Sequence, residues 1–308
     1  MEVKIGLIDV DGHNFPNLAL MRISAYHKAR GDSVEWWWGW GHYDVVYMSK
    51  VFSNDYSPDV PEPLNADKII KGGTGYAISL VDGKEVYDKS KDGMLSPEIE
   101  KMFPDYSIYP QYDFAISLTS RGCPRSCSFC HVAAKEGRCA VKVADVSDFW
   151  RRGGQKKIEI LDPNILACRE KRDLMRQYRE TDCILNFNQG LDIRLLDGYD
   201  LEDLNSMRLK RIHFAWDNPK DDLKGKFEAF AKGFRRTSNI GVVYVLTNFN
   251  STMDENLYRI YTLRDMGYDP YVMVYDKPNA PKEIRHLQRW CNNKIIFKRC
   301  KRFEDYDP

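Results

Sequence analysis

Six apolar runs with the length of β-strands recur after residue 110, and helical patterns or loops separate them. Apolar runs that alternate with helices predict parallel strands joined by helical crossovers. In barrel-like folds of this kind the functional groups come from the loops at the carboxyl ends of the strands. We therefore expect functional residues directly after the runs, which lie at 113–119, 157–161, 183–188, 211–216, 241–246 and 271–275.

The first hundred residues show a shorter version of this alternation. Apolar runs at 3–10, 33–36, 43–48 and 68–71 predict strands, and apolar residues recur at helical spacing over 18–29. Gly31 follows at the position where helices commonly end. The Asp82-Gly83 pair lies between apolar residues and predicts a hairpin turn. We predict an open, mostly parallel α/β domain at 1–108 and a second domain at 109–308, with the boundary in a proline-containing stretch.

The composition narrows the class of protein. Lys and Arg number 46 and Asp and Glu number 45, so no overall charge selects for nucleic acid. No apolar run approaches the about 20 residues that cross a bilayer, and the first residues lack signal-peptide architecture. Five of the eight cysteines are scattered, which is typical of buried free thiols in a reducing compartment. These features predict a soluble, cytoplasmic protein without a membrane partner.

The other three cysteines lie close together at C-x3-C-x2-C spacing. They are Cys123, Cys127 and Cys130, and Phe129 directly precedes the third. Thiolates favour iron–sulfur clusters, zinc or Cu(I). Three cysteines on a [4Fe–4S] cluster leave one iron able to bind a non-protein ligand. Zinc with His131 as fourth ligand and a Cys127–Cys130 dithiol are the alternatives.

The segment 121–130 resembles the signature of the radical S-adenosylmethionine (radical SAM) superfamily. The resemblance implies a [4Fe–4S] cluster on the three cysteines, AdoMet chelated to the open iron, and Phe129 near the adenine. It also implies reductive cleavage of AdoMet to methionine and a 5′-deoxyadenosyl radical. The expected fold is then a (β/α)6 partial TIM barrel after a Rossmann-like domain, and the expected partner is an electron donor such as flavodoxin or ferredoxin.

Polar residues at the ends of the predicted strands are candidates for the AdoMet pocket. Carboxylates and amides accept hydrogen bonds from an ammonium group, and a guanidinium pairs with a carboxylate. The resemblance assigns the methionine amine to the end of the second strand. Arg194 is the candidate partner of the methionine carboxylate, and Gln189 or Asp192 is the candidate partner of the ribose hydroxyls. Helix capping by Asp162 and Asp217 and surface pairing by Arg194 are the structural alternatives. The candidates are Asp162, Asn164, Gln189, Asp192, Arg194, Asp217 and Asn248.

The N-terminal third resembles the cobalamin-binding-like domain that precedes the barrel in one branch of this superfamily. The family's D-x-H-x-x-G element is matched by Asp11 and His13, with Pro16 in place of the glycine. Its S-x-L and G-G elements are matched by Ser49 and by Gly72-Gly73. The resemblance implies cobalamin as a cofactor and methyl transfer as the reaction. Without cobalamin the domain serves as a substrate-recognition lid, and His13 helps to cap the first helix.

Four tryptophans lie within five residues, at 36, 37, 38 and 40. They are expected either to stack on a substrate ring or to pack at an interface. Methylthiotransferase chemistry is disfavoured, since those enzymes carry three further cysteines in the N-terminal domain and residues 1–122 contain none.

The resemblance to the radical SAM superfamily implies an enzyme that activates a C–H bond of a substrate that the sequence does not name. A tRNA, a peptide and a small metabolite all remain open. The competing hypotheses are a non-catalytic iron–sulfur or AdoMet sensor and a zinc-stabilised binding protein.

Overall fold

The computed structural model describes residues 2–53, 56–81, 84–235 and 240–308. The chain divides into two compact units. The first comprises the residues up to Ser117 together with Pro124–Arg138 and Ala144–Lys156, and the second comprises Leu118–Cys123, Cys139–Val143 and Lys157–Pro308. The predicted domain boundary at residue 108 stays a prediction.

A four-stranded parallel sheet forms the centre of the first unit. Its strands are β1 (Lys4–Asp9), β2 (Ser33–Trp36), β3 (Tyr43–Ser49) and β4 (Ala66–Gly72), in the order β2-β1-β3-β4. Apolar side chains pack on its strands in two clusters, because alternate residues of a strand point to opposite faces. One cluster contains Ile5, Leu7, Leu20 and Ile23, and the other contains Val10, Tyr43, Val46 and Met48.

Helix α1 (Leu18–Ala29) has the bounds that the apolar spacing predicts. The Asn17 side chain accepts a hydrogen bond from the Leu20 amide at 3.2 Å and caps the amino end. Gly31 follows the helix with φ +83°, a conformation that glycine adopts at little cost. The cap at the amino end is therefore Asn17 rather than His13.

The remainder of the first unit is made of short elements. The strands β5 (Ile78–Val81) and β6 (Lys84–Tyr87) pair antiparallel as predicted, and the Asp82-Gly83 turn itself lies outside the described residues. A 3-10 turn lies at Val146–Asp148. The other elements of the unit are α2 (Thr74–Ala77), α3 (Pro97–Glu100), β7 (Phe114–Ser117) and α4 (Val132–Glu136).

The second unit alternates strands and helices along the chain. It begins with β8 (Ser120–Arg121) and β9 (Val141–Lys142), which pair antiparallel. The elements that follow are β10 (Lys157–Ile160), α5 (Lys171–Glu180), β11 (Ile184–Phe187), α6 (Gly198–Ser206), β12 (Arg208–Arg211), β13 (His213–Ala215), α7 (Lys224–Gly233), β14 (Val242–Thr247), α8 (Met253–Asp265), β15 (Asp269–Val274), α9 (Lys282–Asn292) and α10 (Lys294–Arg299).

Strands of the second unit pair in two parallel groups. Strands β10, β11 and β12 form one group, and β13, β14 and β15 form the other. An isolated parallel bridge between Leu191 and Phe214 links the polypeptide after β11 to β13. The fourth strand, predicted as one run at 211–216, is interrupted at Ile212. The predicted class, an α/β structure with parallel sheets, is confirmed.

None of the helices in the described part of the chain is both long enough and apolar enough to cross a membrane.

Candidate metal centre and cofactor pocket

The three cysteines of the signature lie in a loop with two unusual backbone conformations. Gly122 has φ +87° just before Cys123, and Ser126 has φ +47° just before Cys127. The Cys130 amide donates to the Cys127 carbonyl at 3.0 Å and closes a turn between the last two cysteines. Cys123 and Cys127 are half-buried and Cys130 is exposed, and none of the three is part of a disulfide. The loop therefore carries three accessible soft donors.

The donor set of this loop fits an iron–sulfur cluster in its chemistry. The Asn164 side-chain amide donates to Cys123 Sγ at 3.4 Å, and hydrogen bonds to cysteine sulfur are a common feature of iron–sulfur sites. Within the described ranges, no three His, Cys, Asp or Glu side chains lie close enough together to hold a metal ion. The assignment of Cys123, Cys127 and Cys130 as ligands stays a prediction.

Asn164 itself is the second sign of a ligand site. Its side chain is 4% exposed, and its Oδ1 atom is buried without a hydrogen-bond partner among the described residues. A buried acceptor that stays unpaired costs free energy, so such atoms are uncommon unless a ligand or water completes them. The orphaned oxygen fits the predicted contact with the amine of AdoMet.

Asp162 is held in a different way. Its carboxylate accepts hydrogen bonds from the Thr119 amide at 2.9 Å and the Thr119 hydroxyl at 2.8 Å. It also accepts from the Ser120 amide at 2.5 Å and the Ser120 hydroxyl at 2.6 Å. Burial raises the pKa of Asp162, and the hydrogen bonds from Ser120 and Thr119 oppose that rise. Asp162 therefore fixes the two residues that lead into the Arg121–Cys123 segment, and contact with AdoMet stays a prediction.

The residues after β11 form an ion-pair chain. The Arg194 guanidinium donates to Asp192 at 2.6 Å through Nε and to Asp221 at 2.7 Å through Nη1. Asp192 is buried, whereas Gln189 is exposed beside Gly190, whose φ is +92°. The two carboxylates orient Arg194 and partly neutralise its charge. Arg194 as partner of the methionine carboxylate, and Gln189 or Asp192 as partners of the ribose, stay predictions.

Asp217 and Asn248 follow β13 and β14, as the predicted pocket requires. Asn248 has φ +61°, a conformation that asparagine tolerates better than most residues, and its amide donates to the Tyr275 carbonyl at 2.8 Å. Burial raises the pKa of Asp217 to about 6, against the opposing effect of Arg259 and Arg194. A carboxyl group that titrates near neutral pH at a strand end is suited to exchange a proton with a ligand.

Arg259, on α8, organises the same edge and was not predicted. Its fully buried guanidinium donates to the carbonyls of Trp216 at 2.6 Å, Asp217 at 2.9 Å and Leu246 at 3.0 Å. Burial lowers its pKa to about 10. Since these carbonyls belong to the ends of β13 and β14, Arg259 is a positioning residue for Asp217. Arg259 lies four residues before the apolar Leu263, so helical spacing places both on one face of α8. This spacing was the sequence signal that could have indicated its burial.

The raised pKa of Asp217 has a definite consequence for stability. A carboxyl whose folded pKa of about 6 exceeds its unfolded value of 3.8 favours folding less as pH rises through that window. In urea unfolding between pH 4 and pH 7.5, we expect Asp217→Asn to gain stability relative to wild type up to about pH 6. The total gain in the free energy of unfolding, relative to wild type, is expected to be on the order of 2 kcal/mol. Above about pH 6 the difference between the two proteins should stay constant. A difference that does not change with pH contradicts this assignment.

The first three residues of the cobalamin resemblance are engaged within the first unit. The Asp11 carboxylate accepts from the amides of Val51 at 2.5 Å and Phe52 at 3.3 Å. The Ser49 hydroxyl accepts from the Asn17 side chain at 2.9 Å. The exposed His13 ring packs edge-on against Trp36, with 4.3 Å between ring centroids.

The chain's own backbone explains why glycine occupies positions 72 and 73. A Cβ atom on Gly72 would lie 2.8 Å from the Gly93 carbonyl oxygen, and one on Gly73 would lie 2.2 Å from the Lys50 carbonyl oxygen. Gly73 also has φ +105°. The space beside both glycines is therefore filled by residues 50 and 93 of the same chain. This arrangement does not fit a corrin lying against Gly72 and Gly73.

The remaining predicted features are aromatic residues, namely Phe129 and the four tryptophans. Phe129 is half-buried, and its contact with adenine stays a prediction. Trp36 and Trp37 donate their indole N–H groups to the Ile108 carbonyl and the Asn65 side chain, at 3.2 and 2.9 Å. Trp38 and Trp40 are exposed. Two of the four tryptophans are thus hydrogen-bonded within the fold, and the other two are exposed on the surface.

Comparison with known proteins gave no matching family model and no matching curated protein. The solved structures that match the chain include the following two. One is a radical S-adenosylmethionine methyltransferase, TsrM, from Kitasatospora setae, with tryptophan substrate and a SAM analogue bound. It is 12% identical with a TM-score of 0.43, and the match covers 88% of this chain and 67% of that chain.

The other solved structure is the cobalamin-dependent S-adenosylmethionine radical enzyme OxsB, with aqua-cobalamin and S-adenosylmethionine bound. It is 11% identical with a TM-score of 0.43, and the match covers 97% of this chain and 56% of that chain. Both are radical S-adenosylmethionine enzymes. Because the TM-scores lie below 0.5, the function proposed below rests on residues of this chain.

Proposed function

We propose that this chain is a radical SAM enzyme. Cys123, Cys127 and Cys130 would hold a [4Fe–4S] cluster with one iron open to AdoMet. When bound, the cluster supplies the electron that cleaves AdoMet to methionine and a 5′-deoxyadenosyl radical, which abstracts hydrogen from an unactivated C–H bond. The observation that carries the proposal is the three-cysteine loop with a buried amide, Asn164, donating to the first cysteine sulfur.

The protein's own contribution is to position these groups. Asn164 presents one amide hydrogen to Cys123 and an unpaired buried oxygen that can accept from the ammonium of AdoMet. Asp162 fixes Thr119 and Ser120, so the segment that leads to Cys123 is held by four hydrogen bonds. Such rigid placement lowers the cost of bringing the reacting groups together.

Two arginines would organise another part of the proposed pocket. Asp192 and Asp221 orient Arg194, and we propose that Arg194 pairs with the carboxylate of AdoMet. Arg259 holds the carbonyls at the ends of β13 and β14 and so fixes the backbone at Asp217, which is proposed to line the substrate side. With its pKa raised to about 6, Asp217 can take up or release a proton at neutral pH.

The further reaction is proposed to proceed without cobalamin, because Gly72 and Gly73 are covered by the chain's own backbone. A reductant of the flavodoxin or ferredoxin class is the proposed partner. The substrate is proposed to be a tRNA, a peptide or a small metabolite.

Anaerobic reconstitution tests this proposal. The full chain is loaded with iron and sulfide, reduced with dithionite and incubated with AdoMet, with and without added cobalamin. We expect 5′-deoxyadenosine and methionine in equal amounts, and no dependence on cobalamin. Tight zinc binding without 5′-deoxyadenosine would instead support a metal-stabilised binding protein.

A further inference from the structure

His131 at the amino end of α4 contacts the hairpin of the first unit, and Lys135 within α4 contacts the first residue of α2. His131, next to Cys130, places Nε2 at 2.9 Å from Glu85 on β6. Lys135, one helical turn later, donates to the Thr74 hydroxyl at 2.5 Å. Residues four apart lie on one face of a helix, so both contacts hold the same face of α4.

A buried carboxylate supports the second contact. Asp92 is 2% exposed, accepts from the Tyr87 hydroxyl at 2.6 Å and lies 3.7 Å from the Lys135 ammonium. A buried anion is retained when it is hydrogen-bonded and paired with a cation, as here. The contact therefore joins Lys135 to a carboxylate that is itself fixed.

The glycine pair makes this arrangement possible. The Gly73 amide donates to the Asp92 carbonyl at 2.6 Å, and Gly72 lies against Gly93 so closely that no side chain would fit. Only a backbone without a Cβ atom permits that approach. The two glycines thus bring Asp92 next to Thr74 and into reach of Lys135.

We propose that Thr74, Glu85, Tyr87 and Asp92 form a clamp that positions the cysteine loop through α4. The proposal rests on the proposed function in that the loop is taken as the cluster loop. The turn from Cys127 to Cys130 runs directly into His131, so a fixed α4 fixes where that turn ends. The strand edge that the cobalamin resemblance assigns to a corrin instead holds the segment after the cysteines.

The first experiment uses the apo protein and hydrogen exchange. The amides of Lys135 and Gly137 donate within α4, to His131 and Ala133. We expect Glu85→Ala and Lys135→Met to speed exchange of the peptide 131–137 about tenfold, since each removes a charge-assisted hydrogen bond. Glu85→Gln should restore slow exchange, because its amide oxygen can still accept from Nε2–H. Unchanged exchange in Glu85→Ala overturns the clamp.

The second experiment uses the reconstituted protein. Iron release to a chelator is expected to be about tenfold faster in Glu85→Ala, and the EPR spectrum of the reduced cluster to change, with rescue in Glu85→Gln. Asp67→Ala is the control, because Asp67 pairs with His42 at 3.1 Å on the exposed surface of the same unit. If exchange changes but iron release and EPR do not, the clamp does not position the cysteines and the proposal fails.

The two proposals fail separately. If the wild-type protein holds no iron–sulfur cluster, the proposed function is wrong. Hydrogen exchange of the peptide 131–137 in the apo protein still decides whether the clamp exists.

Discussion

Cys127→Ala is expected to abolish 5′-deoxyadenosine formation, with a loss of more than about 100-fold. Even the outer partners of a metal ligand are worth 10–100-fold in affinity or activity, and a lost thiolate leaves an iron without its ligand. The same loss is expected for Cys123→Ala and Cys130→Ala. The measurement is product formation per reconstituted chain, together with its iron and sulfide content.

The chain supplies matched controls for this series. Cys139 is an exposed free thiol, and Cys300 is half-buried, and both lie outside the signature. Cys139→Ala and Cys300→Ala are expected to keep activity within about twofold, as most substitutions away from a site do. Full activity in Cys127→Ala, or equal losses in Cys127→Ala and Cys139→Ala, would contradict the assignment of the signature.

Asp162→Ala is expected to destabilise the second unit by several kcal/mol, at about 1–3 kcal/mol for each buried donor left unpaired, and to cost cluster binding. The substitution leaves two amides and two hydroxyls of Thr119 and Ser120 without their acceptor in a buried site. The Tyr178 hydroxyl lies 3.5 Å from the same carboxylate and would also lose this hydrogen-bond acceptor. The check is the free energy of unfolding in urea, measured on the apo protein to separate folding from metal binding.

An exposed carboxylate on the same unit serves as control. Asp173 pairs with Lys142 at 2.9 Å and Arg176 at 2.5 Å, and its side chain is 40% exposed. Asp173→Ala is therefore expected to cost less than about 1 kcal/mol, since surface ion pairs contribute little. Similar losses in Asp162→Ala and Asp173→Ala would show that Asp162 does not anchor the residues before Cys123.

The parallel sheets could be predicted because period and length of an apolar run are local properties. Helix α1 begins at Leu18 and ends at Ala29, as predicted, since the Asn17 cap and Gly31 lie next to it in sequence. The fourth barrel strand was predicted as one run, and its interruption at Ile212 depends on which neighbours β12 and β13 pair with. Pairing partners are tertiary information that a run of residues does not contain.

The sequence predicted which strand ends carry the candidate site residues, but it did not predict the contacts that those residues make. The strand ends directed attention to Asp162, Asn164, Arg194 and Asp217, whose roles stay predictions. The sequence could not show that Asp162 binds Thr119 and Ser120, because those residues are more than 40 positions away. Arg259 was missed for the same reason, since it lies more than 40 positions from Trp216 and Asp217. The glycine pair was assigned to a cofactor, whereas its closest neighbours are Lys50 and Gly93.

EPR spectroscopy of the reconstituted, dithionite-reduced protein tests the central claim most directly. A cluster with three cysteine ligands and one open iron should contain about four irons per chain, and its spectrum should shift when AdoMet is added. Cys123→Ala should lose the spectrum, whereas Cys139→Ala should retain both the spectrum and its response. A spectrum that AdoMet leaves unchanged, or a protein that binds zinc and no cluster, would contradict the claim.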